Sequence, residues 1–212
     1  MGYPASEDKR SETVTRILAA AMNIFAEVGF GSTRVDEIAK RAGVNKATIY
    51  YHIGNKETLY AEVIHDVIGN MADMIALGIK EAQSPEEKLR TYIRNITRSI
   101  DRNPLIPPIM MREVASGGQH FPNVVAQDMA RIIGILTGIL DEGIKQGIFI
   151  KTTPFILHMM VIGTVMFYKT SGPIRARLDW IPESVKHLSA DLTGEVAEEI
   201  ENLILRAIKG SS

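Results

Sequence analysis

Residues 45–52 carry side chains suited to contact with an anionic polymer. Amide, ammonium, hydroxyl and imidazole groups donate hydrogen bonds to phosphate oxygens, and amide or small apolar side chains contact base edges. The segment reads Asn45-Lys46-Ala47-Thr48-Ile49-Tyr50-Tyr51-His52 and contains no carboxylate that would repel phosphate. The chemistry that these residue types favour is binding to a nucleic acid.

The surrounding residues predict that this segment folds as the last helix of a helix-turn-helix. Ala39 is the small residue that lets two helices touch, and Gly43 tolerates the positive φ of the turn between them. Val44 follows as an apolar plug, and Ile49 or Ile53 fixes the last helix to the core. The polar residues of that helix then face outward, as in a helix that reads a DNA groove.

The charge distribution also favours a nucleic-acid partner for this region. Residues 31–56 contain five basic and two acidic side chains, a charge of +3, whereas the whole chain carries a formal charge of −1. The remaining residues therefore sum to −4. A compact basic unit precedes a mildly acidic body, so the neutral total hides a basic surface.

The run from Thr33 to Glu57, TRVDEIAKRAGVNKATIYYHIGNKE, resembles the DNA-binding signature of the TetR family of bacterial repressors. The helix predicted over Thr15–Phe30 is similar to the first helix of that family. Ala47 stands where glycine is frequent and Ile53 where phenylalanine is frequent, and these departures keep the helix and an apolar anchor. The resemblance covers roughly residues 11–60, and beyond them it is confined to length and helix count.

This resemblance implies that the outward face of the third helix lies in the major groove of double-stranded DNA. Phosphate contacts are implied for Lys46, Thr48, Tyr51 and His52, with flanking contacts from Thr33 and Lys56. Base contacts are implied for Asn45, Ala47 and Tyr50. The alternative is that the two tyrosines and the histidine only pack a small core.

Apolar residues at helical spacing predict an all-α fold of about nine helices. Ser32 or Thr33 is the expected cap of the second helix. The sixth helix is expected to begin after Pro108, and the eighth to end at Gly172-Pro173. The ninth is expected to span Pro182–Lys209.

The predicted organisation has three parts. Residues 1–10 form a flexible arm, 11–56 the helix-turn-helix DNA-binding domain, and 57–212 a helical ligand-binding and dimerisation domain. The fourth helix begins beside the DNA-binding domain and continues into the body. It therefore predicts a mechanical connection between the two domains.

Methionine and other apolar side chains in the body predict a cavity that adapts to an apolar or amphipathic effector. The residues expected to line it are Met71, Met74, Tyr92, Ile96, Met110, Met111, Phe121 and Met129. Arg112 or Glu113 is expected to meet a charge on that molecule. The alternative for each of these residues is ordinary core packing.

The last two helices are predicted to form a homodimer. The eighth is apolar nearly all round, more than one neighbouring core can cover, and the ninth adds a stripe that includes Ile200 and Leu203. Pairing them across a twofold axis gives a four-helix interface, which the family resemblance also implies. A dimer supplies two reading helices, and one short helix contacts too few base pairs to find an operator alone.

Several other classes are disfavoured. The chain has no cysteine, which excludes disulfides and thiolate metal sites and suits a reducing compartment. No export signal occurs, and the apolar stretch Phe155–Tyr168 is too short to span a membrane, so we expect a cytoplasmic protein without a membrane partner. No phosphate-binding loop, nucleophile elbow or zinc-protease motif occurs, so we expect neither an enzyme nor a cofactor.

Two histidines have alternative interpretations. Glu62 and His65 have the spacing of a carboxylate di-iron site, but the second copy that such a site requires does not occur, so no metal is expected. His158, on the apolar eighth helix, is more often a hydrogen-bonded core or interface residue than a ligand.

The favoured function is a ligand-responsive transcriptional regulator, most simply a repressor. It binds a palindromic operator as a dimer and is released by a small, mostly apolar effector. The first rival is a DNA-binding protein without an effector. The second is a helical small-molecule carrier or bundle enzyme whose N-terminal module is structural.

Overall fold

The computed structural model describes residues 5–180, 182 and 194–210, with the side chains of residues 5–11 excepted. Within this part of the chain nine helices occur and the only β-type pairing is an isolated bridge between Phe149 and Lys209, which confirms the all-α prediction. The helices are α1 (Ala5–Ser32), α2 (Val35–Ala42), α3 (Lys46–His52), α4 (Lys56–Glu81), α5 (Pro85–Arg102), α6 (Ile106–Ala115), α7 (Asn123–Lys145), α8 (Pro154–Arg175) and α9 (Glu195–Ile208).

Helices α1 to α3 form the helix-turn-helix unit that the local sequence predicts. Gly43 ends α2 with φ 67°, a left-handed conformation that suits glycine. Asn45 caps α3, because its side chain accepts a hydrogen bond from the backbone N–H of Thr48. Ile49 is fully buried and anchors α3 against the core that Ile17 and Ile38 supply.

Helix α4 connects this unit to the rest of the molecule. Asn55 caps its first turn by accepting from Thr58 N–H, and the 26 residues that follow extend about 39 Å. Its N-terminal part packs on α1, and it also packs along α5 and α7. One continuous helix therefore contacts both the N-terminal unit and the helical body.

The C-terminal helix α9 is fastened to α5 by a buried carboxylate. Glu201 is only 1% exposed and accepts hydrogen bonds from Arg90 Nη1 at 3.2 Å and Arg94 Nε at 2.7 Å. A buried charge is costly unless it is paired in this way. The Phe149–Lys209 bridge and an ion pair between Lys209 and Glu86 at 2.9 Å hold the end of the chain.

Several predicted helix boundaries are wrong. Helix α6 begins at Ile106 and carries Pro107 and Pro108 in its first turn, where a missing N–H costs no intrahelical bond. Helix α8 continues past Pro173 to Arg175. The cap residue of α2 is Arg34, and the predicted cap Ser32 belongs to the end of α1.

The predicted ninth helix is not continuous. Gly194 has φ 87° and ψ −137°, which is not helical, so α9 begins at Glu195. Residues 183–193 of the predicted range lie outside the described residues. The N-terminal helix begins earlier than expected, at Ala5, within the range predicted as an arm.

Two helical stretches are long and apolar enough to cross a membrane by length and composition, Glu12–Ser32 and Asn123–Lys145. In the structure each has one face buried in the core, as Phe25 of the first and Leu136 of the second show. Each also exposes charged residues on its other face, such as Arg16 and Asp141. This pattern is typical of the core helices of a water-exposed bundle.

Candidate nucleic-acid interface and apolar cavity

Helix α3 presents an open face. Tyr51 is 78% exposed and Tyr50 is 48% exposed, and Asn45, Lys46 and Ala47 are also exposed. The alternative that both tyrosines pack a core is therefore wrong. Large aromatic side chains held on the surface by a buried anchor are available to a partner.

The remaining polar residues of α3 are less free. His52 is half-buried beside Tyr51, with 5.0 Å between ring centroids, and its Nδ1 has no hydrogen-bond partner among the described residues. Thr48 is half-buried, and its hydroxyl donates to Asn45 Oδ1 at 2.9 Å. Asn45 thus uses its oxygen as a helix cap and keeps its amide N–H groups for other contacts.

Lys46 is held by a weak partner. Its Nζ lies 3.1 Å from Asp36 Oδ2, and both side chains are about half exposed. Ion pairs of this exposed kind contribute little to stability, because water competes with both charges. The ammonium can exchange Asp36 for a phosphate with little loss.

Thr33 and Lys56 are engaged inside the protein. Thr33 is buried and its hydroxyl donates to the carbonyl of Gly29 at 2.6 Å. Lys56 Nζ donates to the carbonyls of Phe30 at 3.0 Å and Thr33 at 3.2 Å, and it lies 4.2 Å from the centroid of the Phe30 ring. Both residues join the end of α1 to the start of α4, and their predicted phosphate contacts stay a prediction.

Arg34 was missed by the sequence reasoning. It is the N-terminal cap residue of α2, is exposed, and has no side-chain partner among the described residues. Its position directly before a short helix of the helix-turn-helix was the available signal. A free guanidinium at this point is a candidate phosphate ligand.

A buried polar cluster joins the N-terminal unit to α6. Glu113 is buried and accepts a hydrogen bond from Tyr60 Oη at 2.8 Å and from the backbone N–H of His120 at 3.3 Å. The ring of Phe30 packs against Tyr60 at 5.0 Å and against His120 at 4.3 Å between centroids. We call these four residues the junction cluster.

The electrostatics of the junction cluster fix its hydrogen-bond roles. Burial, reinforced by the hydrogen bond and charge of Glu113, raises the pKa of Tyr60 well above its ordinary value. The phenol therefore stays protonated and donates to the carboxylate. Glu113 is buried and already accepts from Tyr60 and His120, and its contact with a ligand's charge stays a prediction.

Arg112 makes a second contact between α6 and α1. Its Nη2 donates to the carbonyl of Glu27 at 3.0 Å. The Glu27 carboxylate in turn accepts from Arg41 of α2 at 2.6 Å and 3.1 Å, and this hydrogen bonding lowers the pKa of Glu27. Arg112 therefore links α6 to the helix-turn-helix unit, and its contact with a ligand charge stays a prediction.

An apolar cavity of about 40 Å³ lies where α4 to α8 converge. Met71, Met110 and Met129, three of the predicted lining residues, contribute to its wall. The other described lining residues are Ile68, Ile100, Ile106, Ile132, His158, Ile162 and Met166. The sequence reasoning did not assign these seven to the cavity.

Five predicted lining residues lie elsewhere. Met74 is 53% exposed in a surface groove, and Met111 is exposed because it lies about 100° around α6 from Met110. Tyr92 and Ile96 are buried in the core, and Phe121 is half-buried against it.

His158 supplies the polar atom of the described cavity wall. Its Nδ1 lies 2.6 Å from Tyr92 Oη, and both residues are buried. Burial lowers the pKa of His158 and raises the pKa of Tyr92. The neutral imidazole therefore accepts a hydrogen bond from the phenol, as expected for a core histidine, while also facing the cavity.

His65 has a carboxylate partner in place of the metal considered above. Its Nδ1 lies 2.6 Å from Oδ2 of Asp128, which is buried on α7. Within the described part of the chain, no group of three or more histidine, aspartate or glutamate side chains is placed to hold a metal ion. This pair joins α4 to α7.

Helices α8 and α9 expose apolar side chains. Phe155, Ile156, Met160 and Phe167 of α8 are about half exposed or more, and Leu203 of α9 is 55% exposed. Ile200 faces inward and is buried in the chain's own core, so it is not part of this surface. We call the five exposed residues the α8–α9 face.

Comparison with known proteins gives an independent result. The family described as "Bacterial regulatory proteins, tetR family" matches residues 17–63. The family described as "Tetracyclin repressor-like, C-terminal domain" matches residues 85–178. The two matches fall on the helix-turn-helix unit and on the helical body.

Individual relatives cover most of the chain. The fatty acid metabolism regulator protein of Bacillus subtilis (strain 168) is 26% identical over an alignment of 155 positions, which covers 71% of this chain and 78% of that protein. The HTH-type transcriptional regulator RutR of Escherichia coli (strain K12) is 25% identical over an alignment of 219 positions, which covers 98% of this chain and 98% of that protein. The crystal structure of FadR from Bacillus subtilis in complex with stearoyl-CoA has a TM-score of 0.68 and 23% identity, covering 90% of this chain and 97% of that one, and shows the same fold.

A helix-turn-helix with an exposed reading helix, a helical body and matches to both domain families agree with one another. The chain belongs to the TetR family of ligand-responsive transcriptional regulators.

Proposed function

We propose that this protein is a dimeric repressor that binds a palindromic operator and releases it when a small, mostly apolar effector binds. The observation that carries the proposal is the open face of α3, where Tyr50, Tyr51 and Lys46 project from a helix anchored by Ile49. Helices of this kind enter the major groove of DNA. Asn45 and Ala47 lie on the same exposed side and supply further base contacts.

The α8–α9 face supports the proposed dimer. Its side chains would remain in water in a monomer, although burial of one such side chain stabilises by about 1.5–3 kcal/mol. A twofold axis through this face pairs Leu203 with its copy and places two α3 helices on one DNA face. Half-sites about 34–36 Å apart are then read together.

Helix α6 supports a route from effector to DNA. Ile106 and Met110 on this helix form part of the cavity wall, and one turn further along Arg112 and Glu113 contact α1 and α4. An effector that displaces α6 therefore acts on the N-terminal unit through the junction cluster. Met71 of α4 lines the same cavity, so α4 is displaced with it.

The small volume of the cavity means that an effector binds only if the cavity walls move. A volume of about 40 Å³ holds only a few atoms, so an effector must push the walls apart. Methionine side chains on four helices adapt to this because they are unbranched. The relatives named for fatty acid metabolism and for a stearoyl-CoA complex support an effector with an apolar chain.

The remaining features of the proposal follow from the family. The relatives are named as regulators, which supports a DNA-binding protein of the cytoplasm rather than an enzyme. Neither a cofactor nor a membrane partner is needed for the proposed function. A carrier with a structural N-terminal module has no use for exposed tyrosines on α3.

Selection of bound sequences from random duplex DNA tests the proposal directly. We expect enrichment of a palindrome whose half-sites are separated by one helical turn or a multiple of it. A duplex with one half-site scrambled serves as the control and should bind much more weakly. Enrichment of no sequence at low salt would contradict the DNA-binding function.

A further inference from the structure

Helix α5 carries four arginines at four-residue spacing, which places them along one side of the helix. Arg90 and Arg94 are used to neutralise the buried Glu201. Arg98 and Arg102 are exposed and have no hydrogen-bond or ion-pair partner among the described residues. The row therefore has a structural half, Arg90 and Arg94, and an unused half, Arg98 and Arg102.

The unused half lies in a groove between α4 and α5, of about 240 Å³, which we call the α4–α5 groove. Besides the two arginines, Asn70, Asn95 and Asn103 line it. Asn95 and Asn103 each donate to a backbone carbonyl of α5 and keep an oxygen and a second N–H available. Asn70 donates to the carbonyl and to Oδ1 of Asp66, so only its oxygen is available. Such a set of donors suits a carboxylate or phosphate group.

Met71 separates this groove from the apolar cavity. It is almost fully buried, and it lines both the α4–α5 groove and the cavity of about 40 Å³. An unbranched thioether changes rotamer more readily than a branched side chain does. Movement of one side chain would therefore connect a cationic groove to an apolar interior.

The charge balance of the groove agrees with an anionic ligand. Asp66 is the acidic residue of its described wall, against the two arginines. Glu201 lies beyond Arg94 and is already paired, so it does not cancel the charge of Arg98. The groove keeps a net charge of about +1 at the mouth of an apolar path.

From this geometry we infer that the α4–α5 groove is the head-group site of an anionic amphiphile. Arg98 and Arg102 bind the anionic group, and the chain passes Met71 into the cavity. The inference rests on the proposed effector response and adds the ligand's polarity and its direction of entry. A tail that displaces Met71 also pushes α4, the helix that contacts the N-terminal unit.

Calorimetric titration with three twelve-carbon probes tests the site: dodecanoate, dodecyl phosphate and neutral 1-dodecanol, each at monomeric concentration. We expect wild-type protein to bind one or both anions at least about tenfold more tightly than the alcohol. Preference for dodecanoate or for dodecyl phosphate distinguishes a carboxylate head from a phosphate head. Equal affinity for all three probes, or no binding, overturns the inference.

The double variant Arg98→Gln/Arg102→Gln locates the binding. Both side chains are on the surface, so the fold should persist, and anion affinity should fall at least about tenfold while dodecanol binding stays unchanged. Arg177→Gln changes another exposed arginine without a described partner and should have no effect. Equal weakening of all three probes by the double variant contradicts a head-group role.

Two further measurements test the path of the apolar chain and distinguish this inference from the proposed function. Affinity should rise from hexanoate to dodecanoate, because each additional buried CH₂ contributes up to about fourfold; a flat series would mean that the chain stays outside the cavity. Operator binding is measured on the same ligand-free preparations. Loss of operator binding with intact anion binding would contradict the proposed regulatory function but not the head-group site.

Discussion

The helix-turn-helix unit and the helical body differ in how accessible their candidate binding sites are. In the first, Tyr50 and Tyr51 project into solvent and Lys46 has one weak, exposed partner. In the second, the cavity holds only a few atoms and its polar atom is already satisfied by Tyr92. This difference supports the proposal that the ligand-free conformation binds DNA and that effector binding requires rearrangement.

The contacts on the DNA-facing surface and those at the junction of the two regions are of opposite kinds. On the DNA side, exposed ion pairs can exchange partners at little cost. At the junction, Glu113 and Tyr60 are buried, and removing one partner leaves the other unsatisfied. Under the proposed function, these buried contacts at the junction would transmit a displacement of the helical body to the helix-turn-helix unit.

The largest expected effect comes from separating the two readers of a dimer. Leu203→Glu places a charge on the α8–α9 face, so the protein should sediment as a monomer. Operator affinity should then fall about 100-fold or more, because the second half-site no longer adds to the first. Since Leu203 is 55% exposed in the chain itself, the fold should remain intact, which circular dichroism checks. A variant that stays dimeric would move the interface away from α9.

Removing a base-contacting side chain should have the next largest effect. Tyr50→Ala should reduce discrimination between the operator and a scrambled duplex by about tenfold, since a good base contact is worth about 1–3 kcal/mol. Tyr50→Phe is the matched control, because it keeps the ring and removes only the hydroxyl. If discrimination were unchanged in the alanine variant, α3 would not read sequence at this residue.

Lys46→Ala should weaken binding to every duplex by a similar factor. One lost phosphate contact lowers the slope of log affinity against log salt by about 0.9. Lys80→Ala, an exposed lysine at the far end of α4, should leave the slope unchanged. An unchanged slope in the Lys46→Ala variant would mean that Lys46 of the wild-type protein makes no phosphate contact and stays paired with Asp36 on DNA.

The smallest expected effect is a pH dependence of the free energy of unfolding, caused by His158 in the helical body. Because burial lowers the pKa of His158, the unfolded chain binds a proton that the folded chain does not, below the ordinary value of 6.5. Stability should fall as the pH drops from 6.5 toward the folded pKa, by at most about 1.4 kcal/mol per pH unit from this residue. Denaturant melts at several pH values measure it.

Two variants test whether His158 causes that pH dependence. His158→Gln should show a shallower loss of stability in the same pH range, because the titrating group is gone. Tyr92→Phe keeps the imidazole buried, so it should retain the loss. Identical pH profiles for His158→Gln and wild type would show that His158 is not the group responsible.

The sequence was sufficient where the determining contacts are local. Gly43 and Asn45 set the turn and the cap within a few residues, so the helix-turn-helix could be predicted. Tyr60 and Glu113 are 53 residues apart, and Arg112 and Glu27 are 85 apart. No local spacing reports such pairings, so the contacts that Arg112 and Glu113 make inside the protein could not be predicted from the sequence.

The cavity was only partly predictable for a related reason. Helical spacing identifies which face of a helix is apolar, and Met71 and Met110 were placed correctly by it. It does not say where two helices diverge, which is why Met74 lies in the α4–α5 groove and Met111 in solvent. Helix α8 also forms part of the cavity wall, because its His158 faces the cavity.

The central claim is that filling the cavity of the body releases the operator. The direct test is a double titration with the selected operator and a ligand that raises the melting temperature of the protein. We predict that the ligand lowers operator affinity about 5- to 150-fold, and that the operator lowers ligand affinity by the same factor. A ligand that binds tightly and leaves operator affinity unchanged would contradict the account.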